Sequence, residues 1–313
     1  METADTSLAV RILTLPGATD RQTRMREVMQ KAEGLKGAPW QFHHAVPHEG
    51  SALAYDDRSA HAAGRTLSAA ELSCFVSHIG IISSWLEDGA SDVLLVLEDD
   101  VYLDPWFDFQ AAAALAHSTG LDYLRLYARV WMPARQIIYR ARTQIVRFTW
   151  TLGGMQAFML TRQGAQRIID AVTAAGRIVR PVDDLIDRYW EVRNPVYALF
   201  PSPVLEHCMP TLIHLNEQVK ARQKKQAELD RMTQAVGLSR RLQSKVGALA
   251  DRLARRKIEK EMRHEDIEVA ARLQSYMNRP DFHHFRISAP AVGSSAFQPP
   301  AGITLVEAKQ TVF

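Results

Sequence analysis

An uninterrupted apolar run, Val93-Leu94-Leu95-Val96-Leu97, is followed at once by Glu98-Asp99-Asp100. Five branched side chains in a row leave no polar face, which predicts a strand covered on both sides and an α/β architecture. Open sheets of that kind bind ligands beyond the carboxyl ends of their strands. Here that end carries three adjacent carboxylates, whose mutual repulsion a cation relieves. Hard oxygen donors suit Mg2+ or Mn2+, which in turn bridge the phosphates of a nucleotide. Taken alone, the same residues also fit a solvated acidic turn capping a helix.

At 313 residues the chain can form one large domain with an appendage, or two smaller ones. Its 47% hydrophobic and 23% charged residues are those of a soluble globular protein. Two cysteines, Cys74 and Cys208, cannot build a disulfide framework and suit a reducing compartment, with a single bridge left open. The start, Met1-Glu2-Thr3-Ala4-Asp5, lacks the basic and apolar regions of a secretory signal. No apolar run reaches the roughly 20 residues of a membrane span. A cytoplasmic location is expected.

Upstream of the acidic end stands Glu71-Leu72-Ser73-Cys74-Phe75-Val76-Ser77-His78-Ile79-Gly80, opening a predicted helix to about Trp85. Ser68-Ala69-Ala70-Glu71 reads as its capping box. A second block runs Gly153-Gly154-Met155-Gln156-Ala157-Phe158-Met159-Leu160, leading into a helix near Gly164-Ala165. This succession resembles glycosyltransferase family 25, which contains bacterial lipopolysaccharide and lipooligosaccharide sugar transferases and collagen galactosyltransferases. The family pattern is Glu-(Leu/Ile)-Gly-Cys-x-x-Ser-His, a helix, then an apolar strand ending in Glu-Asp-Asp-Val. Ser73 stands where the family usually has Gly, and Thr14 where it usually has Asn.

The resemblance implies a nucleotide-sugar-binding domain of the GT-A type over residues 7–215, with a mixed, mainly parallel sheet flanked by helices. It implies inverting transfer of a hexose from a UDP-sugar, UDP-galactose first among them, to a saccharide acceptor. Glu98 and Asp100 are the expected ligands of Mn2+ or Mg2+. Donor contacts are expected from Arg21, Asp99, Gly154, Gln156 and His78. Asp99 would face the ribose or donor sugar. His78 is read either as a histidine bonded to a neighbouring loop or as a contact to the diphosphate or acidic cluster. A carboxylate must take the acceptor hydroxyl's proton, and Asp183 or Asp184, in Pro181-Val182-Asp183-Asp184, is the candidate. Either residue equally suits the cap of a helix over 185–189.

Elsewhere, a strand over 8–15 precedes a helix over 21–33, where Arg21 either forks onto phosphate or pairs with Asp20. His43 and His44 fall on a strand over 40–46 and point to opposite faces, so they cannot share one ion. Residues 47–67 read as a long polar loop near the donor. Arg135, Arg140, Arg142 and Arg147 suggest either a hairpin rimming the acceptor groove or solvated surface. His207 and His214 are read as structural.

From Asn216 to Arg263 there are fourteen Lys/Arg against six Asp/Glu. Leu238, Leu242, Val246, Leu249 and Leu253 recur at helical spacing, flanked by basic residues, so 216–275 reads as a basic amphipathic appendage. It would pack onto the catalytic domain, pair with another subunit, or lie on an anionic membrane surface beside a lipid-linked acceptor. No nucleic-acid module is recognisable. Residues 276–313 read as an extended tail. Two other functions remain open: a Mg2+-dependent nucleotidyltransferase, disfavoured by the lack of a phosphate loop, and a catalytically silent partner- or membrane-binding relative.

Overall fold

A computed structural model describes residues 6–63, 65–129, 132–140, 143–207, 237–279 and 282. Arg142, Cys208, His214, the basic stretch 216–236 and the tail after 282 lie outside the described residues, as do the side chains of Arg140, Leu238, Leu242 and Val246.

The chain alternates strands and helices from its start. β1 (Leu8–Thr14) leads into α1 (Thr19–Lys31) and β2 (Trp40–His44). The expected polar loop carries structure of its own, β3 (Ala54–Tyr55) and α2 (Asp57–Ala63). α3 (Ala69–Asp88) starts at the predicted capping box, with Ser68 and Glu71 exchanging side-chain and backbone bonds, and stops at left-handed Gly89. Against the sequence expectation, α3 is long and apolar enough to cross a membrane. Leu72, Phe75, Ile79, Ile82 and Trp85 bury its apolar face inside the protein instead.

Next come β4 (Val93–Glu98), β5 (Val101–Leu103), α4 (Phe109–Thr119) and β6 (Tyr123–Arg125). β7 (Ala134–Arg140) and β8 (Thr143–Phe148) form the expected hairpin. They are followed by β9 (Ala157–Thr161), α5 (Arg162–Ala175), β10 (Arg177–Ile178), α6 (Val182–Asp187) and α7 (Tyr189–Val192). β11 (Tyr197–Phe200), β12 (Val204–Glu206) and the long α8 (Gly237–Met277) complete the order.

The main sheet runs β2-β1-β4-β9-β6-β11-β8-β7. Pairing is parallel for β1–β2, β1–β4 and β6–β11. It is antiparallel for β4–β9, β6–β9, β8–β11 and β7–β8. The sheet is mixed as expected, but its ladders are not mainly parallel. β9 inserts reversed beside β4, and the β7–β8 hairpin adds another reversal, since a tight turn can join only antiparallel neighbours.

Side chains alternate across the pleat into two cores. Leu94, Val96 and Phe158 pack with α3, α5 and α6 on one face. Val10, Leu95, Leu97 and Met159 pack with α1 and α4 on the other. α8 serves both, giving Ile258 and Met262 to the first and Val269, Leu273 and Met277 to the second. The appendage is therefore packed onto the sheet domain. Of the predicted stripe, the two residues whose side chains are described, Leu249 and Leu253, are 55% and 56% exposed and point away from the cores. A stripe at three- and four-residue spacing shows that a helix is amphipathic but not which neighbour it meets.

Arg147 corrects the groove-rim and solvated-surface readings of the basic hairpin. Its side chain is fully buried and forks onto α8, reaching Asp266 at 2.5 and 2.8 Å and Glu259 at 2.9 and 3.1 Å. Arg135 adds a contact to Glu259 at 2.6 Å.

Candidate functional site

β4 ends at Glu98, level with Leu13 of β1. The chain then turns through Asp99 and Asp100 into β5, which β12 pins by antiparallel pairing. The three carboxylates point into different surroundings. Both oxygens of Asp99 are taken, one by the Thr14 hydroxyl at 2.6 Å and the other by Arg21 at 2.7 Å. Arg21 thus pairs with Asp99, 78 residues away, rather than with Asp20. Arg24 donates to the backbone carbonyls of Asp99 and Val101. The turn is held by these two arginines.

Glu98 meets His78, whose Nε2 stands 3.1 Å from Oε1. His78 is wholly buried on α3, and its Nδ1 has no partner among the described residues. The acidic-cluster reading of His78 is the one found. Cys74 lies one turn earlier on the same helix face. Its thiol, His78 and Glu98 present ligand atoms within 4.8 Å of one another. Burial pushes the Cys74 thiol well up, and the charges of Glu98, Asp183, Glu71 and Asp100 add to the effect.

Asp100 differs from its neighbours. Its Oδ1 is buried without a hydrogen-bond partner among the described residues. Burial, then the charges of Glu98 and Asp99, raise its carboxyl to about 7. An orphaned carboxylate oxygen beside two more carboxylates fits a divalent cation with hard-oxygen preference. The ligand atoms that converge within 4.8 Å among the described residues are those of Cys74, His78 and Glu98, and Asp100 is not part of that group.

The loop before β9 runs beside the end of β4, where Glu98 N–H donates to the Gln156 carbonyl at 2.8 Å. Gly153 and Gly154 both have positive φ, +70° and +74°. A Cβ on Gly154 would lie 2.3 Å from Oε1 of Gln156, the movable end of a side chain, so it is the left-handed backbone at φ +74° that favours glycine here. The close approach is therefore to the protein's own groups. Gly154 N–H donates to Asp183 Oδ2 at 2.8 Å. The carbonyls of Gly153 and Gly154 accept from Arg125. Gln156 Oε1 is buried and unpartnered among the described residues.

Sequence reasoning missed the network behind this loop. Arg125 is fully buried on β6, 2.9 Å from the Tyr123 hydroxyl and 3.4 Å from Asp187. Asp187 also accepts from Leu152 N–H at 2.8 Å and the Tyr123 hydroxyl at 3.0 Å. A charged residue inside Tyr123-Leu124-Arg125-Leu126 was the available signal, because such a residue on a buried strand requires a partner.

Asp183 and Asp184 occupy the first turn of α6, whose N-cap is Pro181, so neither is the cap. Asp183 Oδ1 accepts from Asp184 N–H at 2.9 Å. Asp184 faces Arg180 at 3.6 Å and Arg188 at 3.9 Å, and burial raises its carboxyl. Both aspartates line a cleft of about 300 Å³ with Arg65, Thr151, Gly153 and Arg180. This volume is at the low end of small-ligand sites.

A family model described as glycosyltransferase family 25 (LPS biosynthesis protein) matches residues 10–186. The match contains every candidate site residue and stops before α8. No curated protein matches the chain in sequence. Similar solved structures include a glycosyltransferase involved in the glycosylation of the major capsid of PBCV-1, at 11% identity and TM-score 0.28. That alignment covers 54% of this chain and 65% of the other, so this chain spans under two thirds of that protein. A197 from STIV is similar at 13% identity and TM-score 0.36, over 66% of this chain and 87% of that one. With the family model spanning more than half of the 313 residues, the chain belongs to glycosyltransferase family 25.

Proposed function

We propose that this protein is a metal-dependent, inverting hexosyltransferase of the GT-A type. It takes the sugar from a UDP-hexose, UDP-galactose being the first donor to test. It passes the sugar to a saccharide or lipid-linked saccharide acceptor in lipopolysaccharide or other surface-glycan synthesis, at the inner face of the membrane. The observation that carries the reading is the buried Oδ1 of half-buried Asp100, which has no partner among the described residues, two residues on from Glu98 within the family match.

Glu98 and Asp100 would hold Mn2+ or Mg2+, which when bound offsets the negative charge that develops on the departing diphosphate. Asp99 acts on the donor through Arg21, fixing its guanidinium for phosphate oxygens. His78 orients Glu98 through their 3.1 Å contact. Gly154 lets Gln156 fold into place, and the unpartnered Oε1 of Gln156 suits a sugar hydroxyl.

Of the two aspartates, Asp184 fits the base. Both Asp183 oxygens accept backbone N–H bonds that hold the loop and the helix start. Asp184 has its cations beyond tight hydrogen-bond range and a raised carboxyl, which makes it the better proton acceptor. It would take the acceptor hydroxyl's proton as that oxygen attacks the anomeric carbon opposite the leaving diphosphate, giving inversion.

Release of nucleoside diphosphate from a panel of nucleotide sugars with Mn2+ tests the class. Release from one donor, lost with chelator and in Asp100→Ala, is the expected result; full activity in Asp100→Ala would sink the assignment. Pyrophosphate as product would select nucleotidyl transfer instead. Asp184→Asn should lower transfer by roughly 100- to 10,000-fold while sparing slow donor hydrolysis. That behaviour in Asp183→Asn alone would move the base role to Asp183.

A further inference from the structure

α8 has a second face turned away from the two cores, along which Arg263 and Ile267 border a shallow groove shared with Arg135, Gln136 and Ile137 of β7. At about 100° per residue, Leu249, Leu253, Arg256, Lys260, Arg263 and Ile267 fall within about 40° of one line along the helix. Leu249, Leu253 and Ile267 are 55%, 56% and 70% exposed, and the three basic side chains are exposed with them. Among the described residues none of these three cations has a carboxylate partner. The acidic residues Asp251, Glu259, Glu261, Glu265, Asp266 and Glu268 all lie at least about 80° from that line. Four of them are bonded to the sheet domain: Asp251 to Arg188, Glu259 and Asp266 to Arg147, and Glu261 to Arg193. The helix spends its acids on the protein and turns bases and bare aliphatics outward.

We infer that this outward face docks the protein on an anionic lipid bilayer. Basic side chains interleaved with exposed aliphatics match the boundary between charged headgroups and acyl chains. A second copy of the chain is a poor occupant, because two such faces repel. Nucleic acid would use the cations but leave three large aliphatics in water. The docking half of the helix is also the half tied to the cleft. Asp251 holds Arg188, which faces Asp184, and Arg255 stacks 4.0 Å over Trp150, next to cleft residue Thr151. A bilayer on this face would bring the cleft near a lipid-carried acceptor. Docking itself does not depend on the transferase reading: vesicle binding without turnover would leave it intact.

The test floats the full chain on vesicles of phosphatidylcholine alone and of phosphatidylcholine with phosphatidylglycerol. Flotation is expected only with the anionic lipid, and it should weaken as salt rises. The triple variant Arg256→Glu/Lys260→Glu/Arg263→Glu should lose roughly 100-fold or more in affinity. Leu249→Ser/Leu253→Ser should lose roughly 10-fold. These side chains are exposed, so an unchanged melting temperature should accompany both. Absence of flotation, equal flotation on both lipids, or an unaffected triple variant would overturn the inference. So would a triple variant whose only loss is RNA or DNA binding, or the dissociation of a dimer.

Discussion

Asp100 and Arg147 are both charged groups withdrawn from water, and the protein treats them in opposite ways. Arg147 is enclosed by Glu259 and Asp266 with four contacts of 3.1 Å or less. Asp100 has an oxygen with no partner among the described residues, and the like charges of Glu98 and Asp99 outweigh the opposite charge of Arg21 around it. Desolvation penalises both ions. At Arg147 the tertiary structure supplies the compensation, and the product is a docked helix. At Asp100 the described residues supply no partner for Oδ1, which is the basis for proposing a ligand there. Arg125 with Asp187 follows the Arg147 pattern, which separates the scaffold of the site from its working groups.

The comparison breaks most plainly if Asp100 proves to be scaffold. Asp100→Asn should lower nucleoside diphosphate release by at least roughly 100-fold with the fold intact by circular dichroism. A variant that unfolds instead would place Asp100 with Arg147.

Arg147→Met should cost about 3–5 kcal/mol in urea unfolding, because Glu259 and Asp266 would stay partly buried without their fork. A loss under about 1 kcal/mol would mean that α8 is held by its apolar residues alone.

A third measurement uses the raised carboxyl of Asp100. A carboxyl raised from its ordinary range to about 7 favours the folded state at low pH, and that contribution is lost as pH rises through about 7. The metal-free protein should therefore melt at lower temperature at pH 8 than at pH 6. Asp100→Asn should flatten that slope, and Mn2+ should restore stability at pH 8. A slope unchanged by Asp100→Asn would remove the electrostatic argument for the site.

The smallest effect is expected at Arg135, whose side chain is 40% exposed in its pair with Glu259. Arg135→Met should change stability by less than about 1 kcal/mol, since a half-exposed pair is screened. A cost matching that of Arg147→Met would show that exposure does not rank these pairs.

The sequence by itself determined the features that local pattern controls. Val93–Leu97 had no polar face, so it became a central strand, and its acidic end followed by covalent continuity. Ser68 and Glu71 sit three residues apart and closed the predicted capping box. The ordered blocks around Cys74-His78 and Gly154-Gln156 were enough for the family. Tertiary structure decided which carboxylate does what. Asp99 is consumed by Thr14 and Arg21, Glu98 is turned toward His78, and Oδ1 of Asp100 is left without a partner among the described residues, although the three are adjacent in the chain. It also placed Arg147 against a helix more than a hundred residues away and chose which face of α8 meets the sheet. Periodicity reports local geometry, whereas charge compensation depends on groups that only long-range packing brings within 3 Å.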